Sequence, residues 1–140
     1  WLRVKSLDNL DEKLISRSKK IYKFPENNDF NISQVFVLRN GLFGIMGSIT
    51  KHIINGNHYF SYPFVFCFDP VEKKVSSTRV ILKRSELPET GSLFSNRYNV
   101  VSPASLVRGK NKSILYVTLG QSYIYRLLIK DPFVYYEKKF

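Results

Sequence analysis

The sequence predicts an all-β protein built from antiparallel strands. Tyr, Phe, Val and Ile dominate its apolar residues, and these side chains favour the pleated, half-buried surface of a sheet. The apolar runs are short and are separated by turn-forming steps such as Asn-Gly and Asp-Pro. No dozen-residue helical stretch separates successive runs, as a parallel sheet would require. Strands joined by short turns therefore predict antiparallel meanders.

A first set of four predicted strands occupies residues 34–82. The opening strand leads through Arg39-Asn40-Gly41, a hairpin signal because Asn and Gly tolerate positive φ, into a second strand. An aromatic strand follows at 59–68 and ends at Asp69-Pro70. Residues 75–82 are expected to form the fourth strand.

Residues 99–137 repeat this order. A strand leads through the turn at 108–112 into a second strand, and a third at 123–129 ends at Asp131-Pro132. Residues 133–136 are expected to close the unit as its fourth strand. A four-stranded meander that repeats at this length is typical of β-propeller blades.

We therefore expect one β domain, residues 1–140, with about two blades at 34–84 and 99–138. The lead-in, 1–33, is irregular, with one helical turn around Leu7 to Ile15 and a short strand at 20–24. Propellers use roughly four to eight blades, so two blades cannot close a ring. The chain is expected to belong to a longer propeller or to one that partner chains complete. An open sandwich of stacked sheets is the remaining alternative.

The net charge of +11 bears on the choice of partner. The charge is spread along the chain without a block of five like charges. It raises the chance of an anionic partner, such as nucleic acid, an acidic glycan or a membrane surface, without choosing among them. No apolar run reaches the roughly 20 residues of a spanning helix, so no membrane association is expected. The single Cys67 is compatible with a reducing compartment, and we expect a cytoplasmic location.

Catalytic motifs are sparse. The sequence has no Gly-rich phosphate loop, no nucleophile elbow and no Cys or His spacing typical of a zinc site, so neither a cofactor nor a metal is expected. Asp69 and Asp131 precede Pro and are expected to cap turns. Glu86 is the best single catalytic candidate, although glycoside hydrolysis needs two carboxylates. In a propeller, ligands meet residues at strand ends, which predicts a binding set of Gln34, His58, Arg84, Glu86, Asn99 and Gln121.

Several of these stretches resemble a family of uncharacterised bacterial five-bladed β-propellers allied to glycoside hydrolases and mannooligosaccharide phosphorylases. The matching pieces are QVFVLRNGLFGIMGSI at 34–49, NHY at 57–59, FCFDP at 66–70, KRSELP at 83–88, 99–108, and IKDPF at 129–133. In order they cover about residues 7–137, roughly the C-terminal half of such a propeller.

The chain departs from the family pattern at polar positions. The family tends to have His where this chain has Ser48, Arg at Asn57 and Asp at Asn99, and an acidic run where this chain has GQSY at 120–123. Losing carboxylates removes the groups that act as acid, base or nucleophile. The resemblance therefore implies a degenerate relative that does not hydrolyse its ligand.

Three functional hypotheses follow. The leading one is a β-propeller module related to carbohydrate-active enzymes, which binds a glycan or oligosaccharide. A second is a basic scaffold that contacts nucleic acid or another polyanion, with nucleic acid the less favoured partner. A third is a fragment of an intact glycoside hydrolase or phosphorylase.

Overall fold

The computed structural model describes residues 4–18, 20, 28–53, 58–89, 99–120 and 122–139. Near the start of the chain, a 3₁₀ turn at Leu7–Asn9 precedes helix α1, Glu12–Ser16. Asp11 caps α1, because its Oδ1 accepts a hydrogen bond from the backbone N–H of Leu14 at 2.6 Å. The predicted helical turn in the lead-in is confirmed. The strand expected at 20–24 lies, apart from Lys20, outside the described residues.

The first meander contains three long antiparallel strands. These are β1 at Asn28–Val37, β2 at Phe43–Ile53 and β3 at His58–Asp69. At the β1–β2 turn the N–H of Leu38 donates to Leu42 O at 2.8 Å, and the N–H of Gly41 donates to Leu38 O at 3.0 Å. Gly41 has φ +83°, a conformation that glycine adopts without steric cost. The predicted hairpin is confirmed.

The strand predicted at 75–82 is interrupted. Strand β4, Lys74–Val75, and strand β5, Arg79–Val80, both pair with β3 but cover only two residues each. Between them, the hydroxyl of Ser76 accepts a hydrogen bond from the backbone N–H of Cys67 at 2.8 Å. This side-chain bond replaces a backbone bond of the ladder, so the chain follows the edge of β3 without remaining a continuous strand.

The second meander consists of β6 at Asn99–Arg108, β7 at Lys112–Leu119 and β8 at Tyr123–Lys130, again antiparallel. Helix α2, Val134–Lys139, follows β8. The closing strand predicted at 133–136 is therefore wrong.

Two contacts explain why the chain forms a helix after β8. Asp131 Oδ1 accepts the N–H of Phe133 at 2.8 Å, which turns the chain. The spacing of Phe133 and Tyr136 then places both rings on the buried side of one helical turn.

The two meanders lie side by side and share one core. The strand order is β1-β2-β3-β6-β7-β8, and β3 pairs with β6 in parallel at Phe60–Asn99 and Ser61–Val100. Buried residues of both meanders and α2 form a single cluster that includes Met46, Val65, Cys67, Leu106, Leu115, Val117, Phe133 and Tyr136. The all-β class with antiparallel meanders is confirmed. The assignment of the meanders as propeller blades remains a prediction.

Candidate ligand-binding site

Arg84 and Glu86 lie in a short 3₁₀ turn, Arg84–Glu86, between the buried Leu82 and Leu87. Glu86 Oε2 accepts a hydrogen bond from the backbone N–H of Lys83 at 2.6 Å. Arg84 Nη1 donates to the carbonyl oxygen of Leu87 at 3.1 Å. Both side chains thus stabilise the turn on which they lie, and Glu86 remains exposed to solvent.

Two further members of the predicted set lie at the same end of β3. Asn99, the first residue of β6, pairs with Phe60, which is two positions after His58 in β3. The Arg84–Glu86 turn lies against β6. The backbone N–H of Gly120 donates to Val100 O at 2.9 Å, so the end of β7 lies beside the start of β6. Gln121 lies outside the described residues.

Gln34 lies elsewhere. Its Oε1 accepts a hydrogen bond from the backbone N–H of Leu106 at 2.8 Å, which ties β1 to β6. Leu106 is seven residues after Asn99, or about 23 Å along an extended strand. Gln34 follows a bulge in β1 and Leu106 follows a bulge in β6, so the bond joins two irregular stretches. The structure therefore separates Gln34 from Asn99 and gives it a structural partner.

The apolar core ends in polar side chains near Asn99. Ser48 is 4% exposed and pairs across the β2–β3 ladder with Pro63. Ser61 is 2% exposed, and its hydroxyl donates to Val101 O at 3.2 Å. Ser48, Asn99 and Gly120, where the chain departs from the resembled family, thus lie around the same stretch of β3. Within the predicted set, Glu86 is the one carboxylate.

The sequence analysis missed an ion-pair cluster at the other end of β6. Arg108 Nε donates to Asp131 Oδ2 at 2.8 Å, and Arg108 Nη1 donates to Glu137 Oε1 at 3.1 Å. The side chain of Asp131 is 0% exposed, and the guanidinium of Arg108 lies 5.3 Å from the ring centroid of Phe133. Asp131 therefore caps its turn, as predicted, and also binds a partly buried arginine. Residues this far apart in sequence show no local spacing pattern.

Hydrogen bonding keeps this cluster charged. Burial acts to lower the pKa of Arg108, but the hydrogen bonds with Asp131 and Glu137 outweigh it and raise that pKa. Burial acts to raise the pKa of Glu137, but hydrogen bonds from Arg108 and from the backbone N–H of Arg39, at 3.2 Å, bring that pKa below its ordinary value. The cluster fastens α2 to β6 and to the β1–β2 turn.

A groove of about 680 Å³ lies beside α2. Its walls come from β5, the start of β7, the end of β8 and α2, and they include Arg79, Lys112, Lys130, Tyr135 and Lys138. None of the members of the predicted binding set that the structure describes lines it. Sequence reasoning missed the groove because four elements from both meanders form it.

Metal and membrane sites are not indicated by the described part of the chain. It contains no group of three or more His, Cys, Asp or Glu side chains arranged to hold a metal ion. None of the helices described there has the length and apolar character needed to cross a bilayer.

The family called "Protein of unknown function (DUF1861)" matches residues 1–135. The chain belongs to this family. No functionally curated protein matches the sequence.

Several solved structures share its fold. One is MPT-4, a mannose phosphorylase from Leishmania mexicana in complex with phosphate ion, with TM-score 0.79, 20% identity, and coverage of 94% of this chain and 43% of that one. Another is MPT-1, a GDP-Man-dependent mannosyltransferase from Leishmania mexicana, with TM-score 0.78, 20% identity, and coverage of 93% and 43%. A hypothetical protein from Leishmania major has TM-score 0.76, 21% identity, and coverage of 93% and 42%. This chain therefore spans less than half the length of the structures it matches.

Proposed function

We propose that this chain is a β-propeller module related to carbohydrate-active enzymes, and that it binds a glycan without cleaving it. The observation that carries the proposal is the superposition of 94% of the chain on a mannose phosphorylase with TM-score 0.79. A mannosyltransferase shares the same fold. Since the chain covers 43% of each of those proteins, its own part in sugar chemistry is inferred.

The glycan site that we propose consists of Arg84, Glu86, Asn99 and His58. It is supported by the pairing of Asn99 with Phe60 near the start of β3 and by the contact of the Arg84–Glu86 turn with β6. Arg84 carries a planar guanidinium of the kind that binds hydroxyl or carboxylate oxygens, one nitrogen of which already donates to Leu87 O, and Asn99 supplies an amide. Glu86 already accepts the N–H of Lys83 at 2.6 Å, and no second carboxylate of the predicted set faces it. A single carboxylate cannot catalyse glycoside hydrolysis by the usual mechanism, which needs two carboxylates. We therefore infer that the chain binds a glycan without turnover.

Calorimetric titration with manno-oligosaccharides tests the binding part of the proposal. Arg84→Ala is expected to weaken binding about tenfold or more, because it removes charge-assisted hydrogen bonds. Glu86→Gln keeps an acceptor for Lys83 and should change affinity little. Arg126→Ala, an exposed arginine on β8, is the matched control and should bind as the unmodified chain does.

Activity assays test the absence of turnover. Aryl mannosides incubated with the chain, with and without phosphate, are expected to remain intact. Hydrolysis or phosphorolysis that Glu86→Gln abolishes would show a working enzyme and overturn the proposal. Loss of glycan binding in Arg126→Ala as well as in Arg84→Ala would remove the support for the site.

We further propose that the module functions within a longer propeller or one completed by partner chains. The support is that chains of this fold are more than twice as long. Light scattering of the native protein, combined with its intact mass, tests this idea. A native particle with the mass of a single 140-residue chain would contradict it.

A further inference from the structure

Four cationic residues from separate elements line the groove beside α2. Arg79 comes from β5, Lys112 from the start of β7, Lys130 from the end of β8 and Lys138 from α2. Val80, Ile81, Ile129 and Val134 also line it, so apolar surface lies between the charges. Its volume of about 680 Å³ falls within the range of roughly 300–1,000 Å³ that is usual for small-molecule sites.

Two of these cations face each other directly. Lys112 and Lys130 are partners in the β7–β8 ladder, so their side chains leave the sheet on the same face. Like charges directly opposite each other destabilise a sheet. A bound anion between the two ammonium groups would remove this repulsion.

The described part of the chain supplies these cations with no counter-charge. Asp131 is the one carboxylate among the described residues that line the groove, and it is buried and bound to Arg108 and the N–H of Phe133. In the described ranges, none of the four cations forms an ion pair. The four positive charges are therefore available to an external ligand.

The framework of the groove is held in place from both sides. The hydroxyl of Tyr136 in α2 donates to Ser77 O at 3.0 Å, which ties α2 to the segment leading into β5. The guanidinium of Arg79 lies 4.8 Å from the ring centroid of Tyr135, and Lys139 Nζ lies 5.2 Å from the same centroid. Tyr135 thus contacts Arg79 through its ring and Lys139 through its hydroxyl, which accepts a hydrogen bond from Lys139 Nζ at 2.7 Å.

We propose that this groove binds a compact ligand carrying two phosphate groups on a small carbon framework, of the sugar bisphosphate class. Lys112 and Lys130 hold one phosphate, and Arg79 and Lys138 hold the other. Each phosphate monoester carries about −1.5 to −2 charge at neutral pH, so two of them balance four cations. The apolar lining fits the C–H face of the ligand. A nucleic acid is less favoured, because base stacking needs a free aromatic face and the Arg79 guanidinium lies 4.8 Å from the ring centroid of Tyr135.

Calorimetric titration with fructose 1,6-bisphosphate tests the proposal. We expect one site per chain, affinity at least tenfold above that for fructose 6-phosphate, and no measurable binding of fructose. Affinity should fall as salt is raised, because salt screens the charge interactions. The double variant Lys112→Gln/Lys130→Gln should bind at least tenfold more weakly, the loss expected for charge-assisted hydrogen bonds.

Two variants separate a site from general attraction and from misfolding. Lys5→Gln/Lys13→Gln removes the same charge from exposed positions in the lead-in and should change affinity less than twofold. Lys112→Glu places a carboxylate opposite Lys130, so its Tm without ligand should stay the same or rise while bisphosphate binding is lost. The unchanged or higher Tm would show that the variant has folded, so the loss of binding could not be due to misfolding.

Three results would overturn the proposal. The bisphosphate binds no more tightly than the monophosphate, or both double variants lose affinity equally. Alternatively, a single-stranded oligonucleotide binds in the groove and the bisphosphate does not, which would assign the groove to nucleic acid.

Discussion

Removing Arg108 is expected to destabilise the protein strongly. In Arg108→Met the apolar methionine side chain still packs on Phe133, but Asp131 and Glu137 lose their cation. The Asp131 side chain is 0% exposed and that of Glu137 is 11% exposed, so two largely buried carboxylates remain with only a backbone N–H each and no cation. Breaking a buried pair in this way costs about 3–5 kcal/mol. That is a large part of the 5–15 kcal/mol by which domains are usually stable, and it corresponds to a Tm lower by about 10 °C.

Urea denaturation followed by circular dichroism measures this loss. Asp131→Asn is the comparison, because its side-chain oxygen still accepts the N–H of Phe133 and Arg108 still binds Glu137. We expect this variant to lose about 1–3 kcal/mol of the free energy of unfolding. The double variant Arg108→Met/Asp131→Asn should lose less than the sum of the two single losses, since both remove the same interaction. A loss below about 1 kcal/mol for Arg108→Met would refute the reasoning, because exposed ion pairs contribute that little.

The pH dependence of the same variant gives a second test. In the folded protein the pKa of Glu137 lies below its ordinary value, so its stabilisation is complete above that ordinary value. It is lost as the pH falls through the folded pKa. In Arg108→Met, protonation of the Glu137 carboxylate removes an uncompensated charge. The difference in free energy of unfolding between the two proteins should therefore shrink on acidification, and a difference that grows would contradict the model of a buried ion pair.

Three further substitutions or modifications test other contacts. Gln34→Ala removes the acceptor for the N–H of Leu106 and should cost about 1–3 kcal/mol in urea denaturation. Gly44→Ala should lower Tm by several degrees, because an added Cβ would lie 2.7 Å from Cε1 of the Phe133 ring. Burial raises the pKa of the Cys67 thiol to about 12, so iodoacetamide at pH 8 should not alkylate the folded protein in a mass-spectrometric time course.

Each of these has its own control. Gln34→Glu keeps an acceptor oxygen, so it should lose less stability than the alanine variant. Gly41→Ala meets no atom within 4 Å but has φ +83°, so its cost should come from backbone strain alone, about 1 kcal/mol. Cys67 should react once urea unfolds the chain. Equal losses of stability in the two Gln34 variants would contradict the bond to Leu106. An unchanged Tm in Gly44→Ala would contradict the close packing on Phe133, and rapid alkylation of native Cys67 would contradict its burial.

Local chemistry made the class and several turns predictable from sequence. Asp69 Oδ1 accepts the N–H groups of Val71 and Glu72 at 2.8 and 3.0 Å, which is the turn that Asp-Pro predicts. The turn at Gly41 follows from the φ that glycine tolerates. These outcomes depend on residues two to four positions apart, and a sequence displays such relations directly.

Tertiary packing decided what lies after β8. The run at 133–136 is apolar and aromatic, so its composition suits a strand as well as a helix. The turn at Asp131, fastened by Arg108, and the burial of Phe133 and Tyr136 against the core select helix α2. A four-residue run is too short for periodicity to show that choice.

Tertiary structure alone also placed the candidate sites. The bond from Leu106 to Gln34 joins residues 72 positions apart and removes Gln34 from the strand-end group. The cationic groove draws Arg79 from the first meander and Lys130 from the second. In the sequence these two cations are 51 positions apart and share no spacing pattern. They become a site because both meanders pack against the same helix, and the sequence does not show which distant side chains that packing brings together.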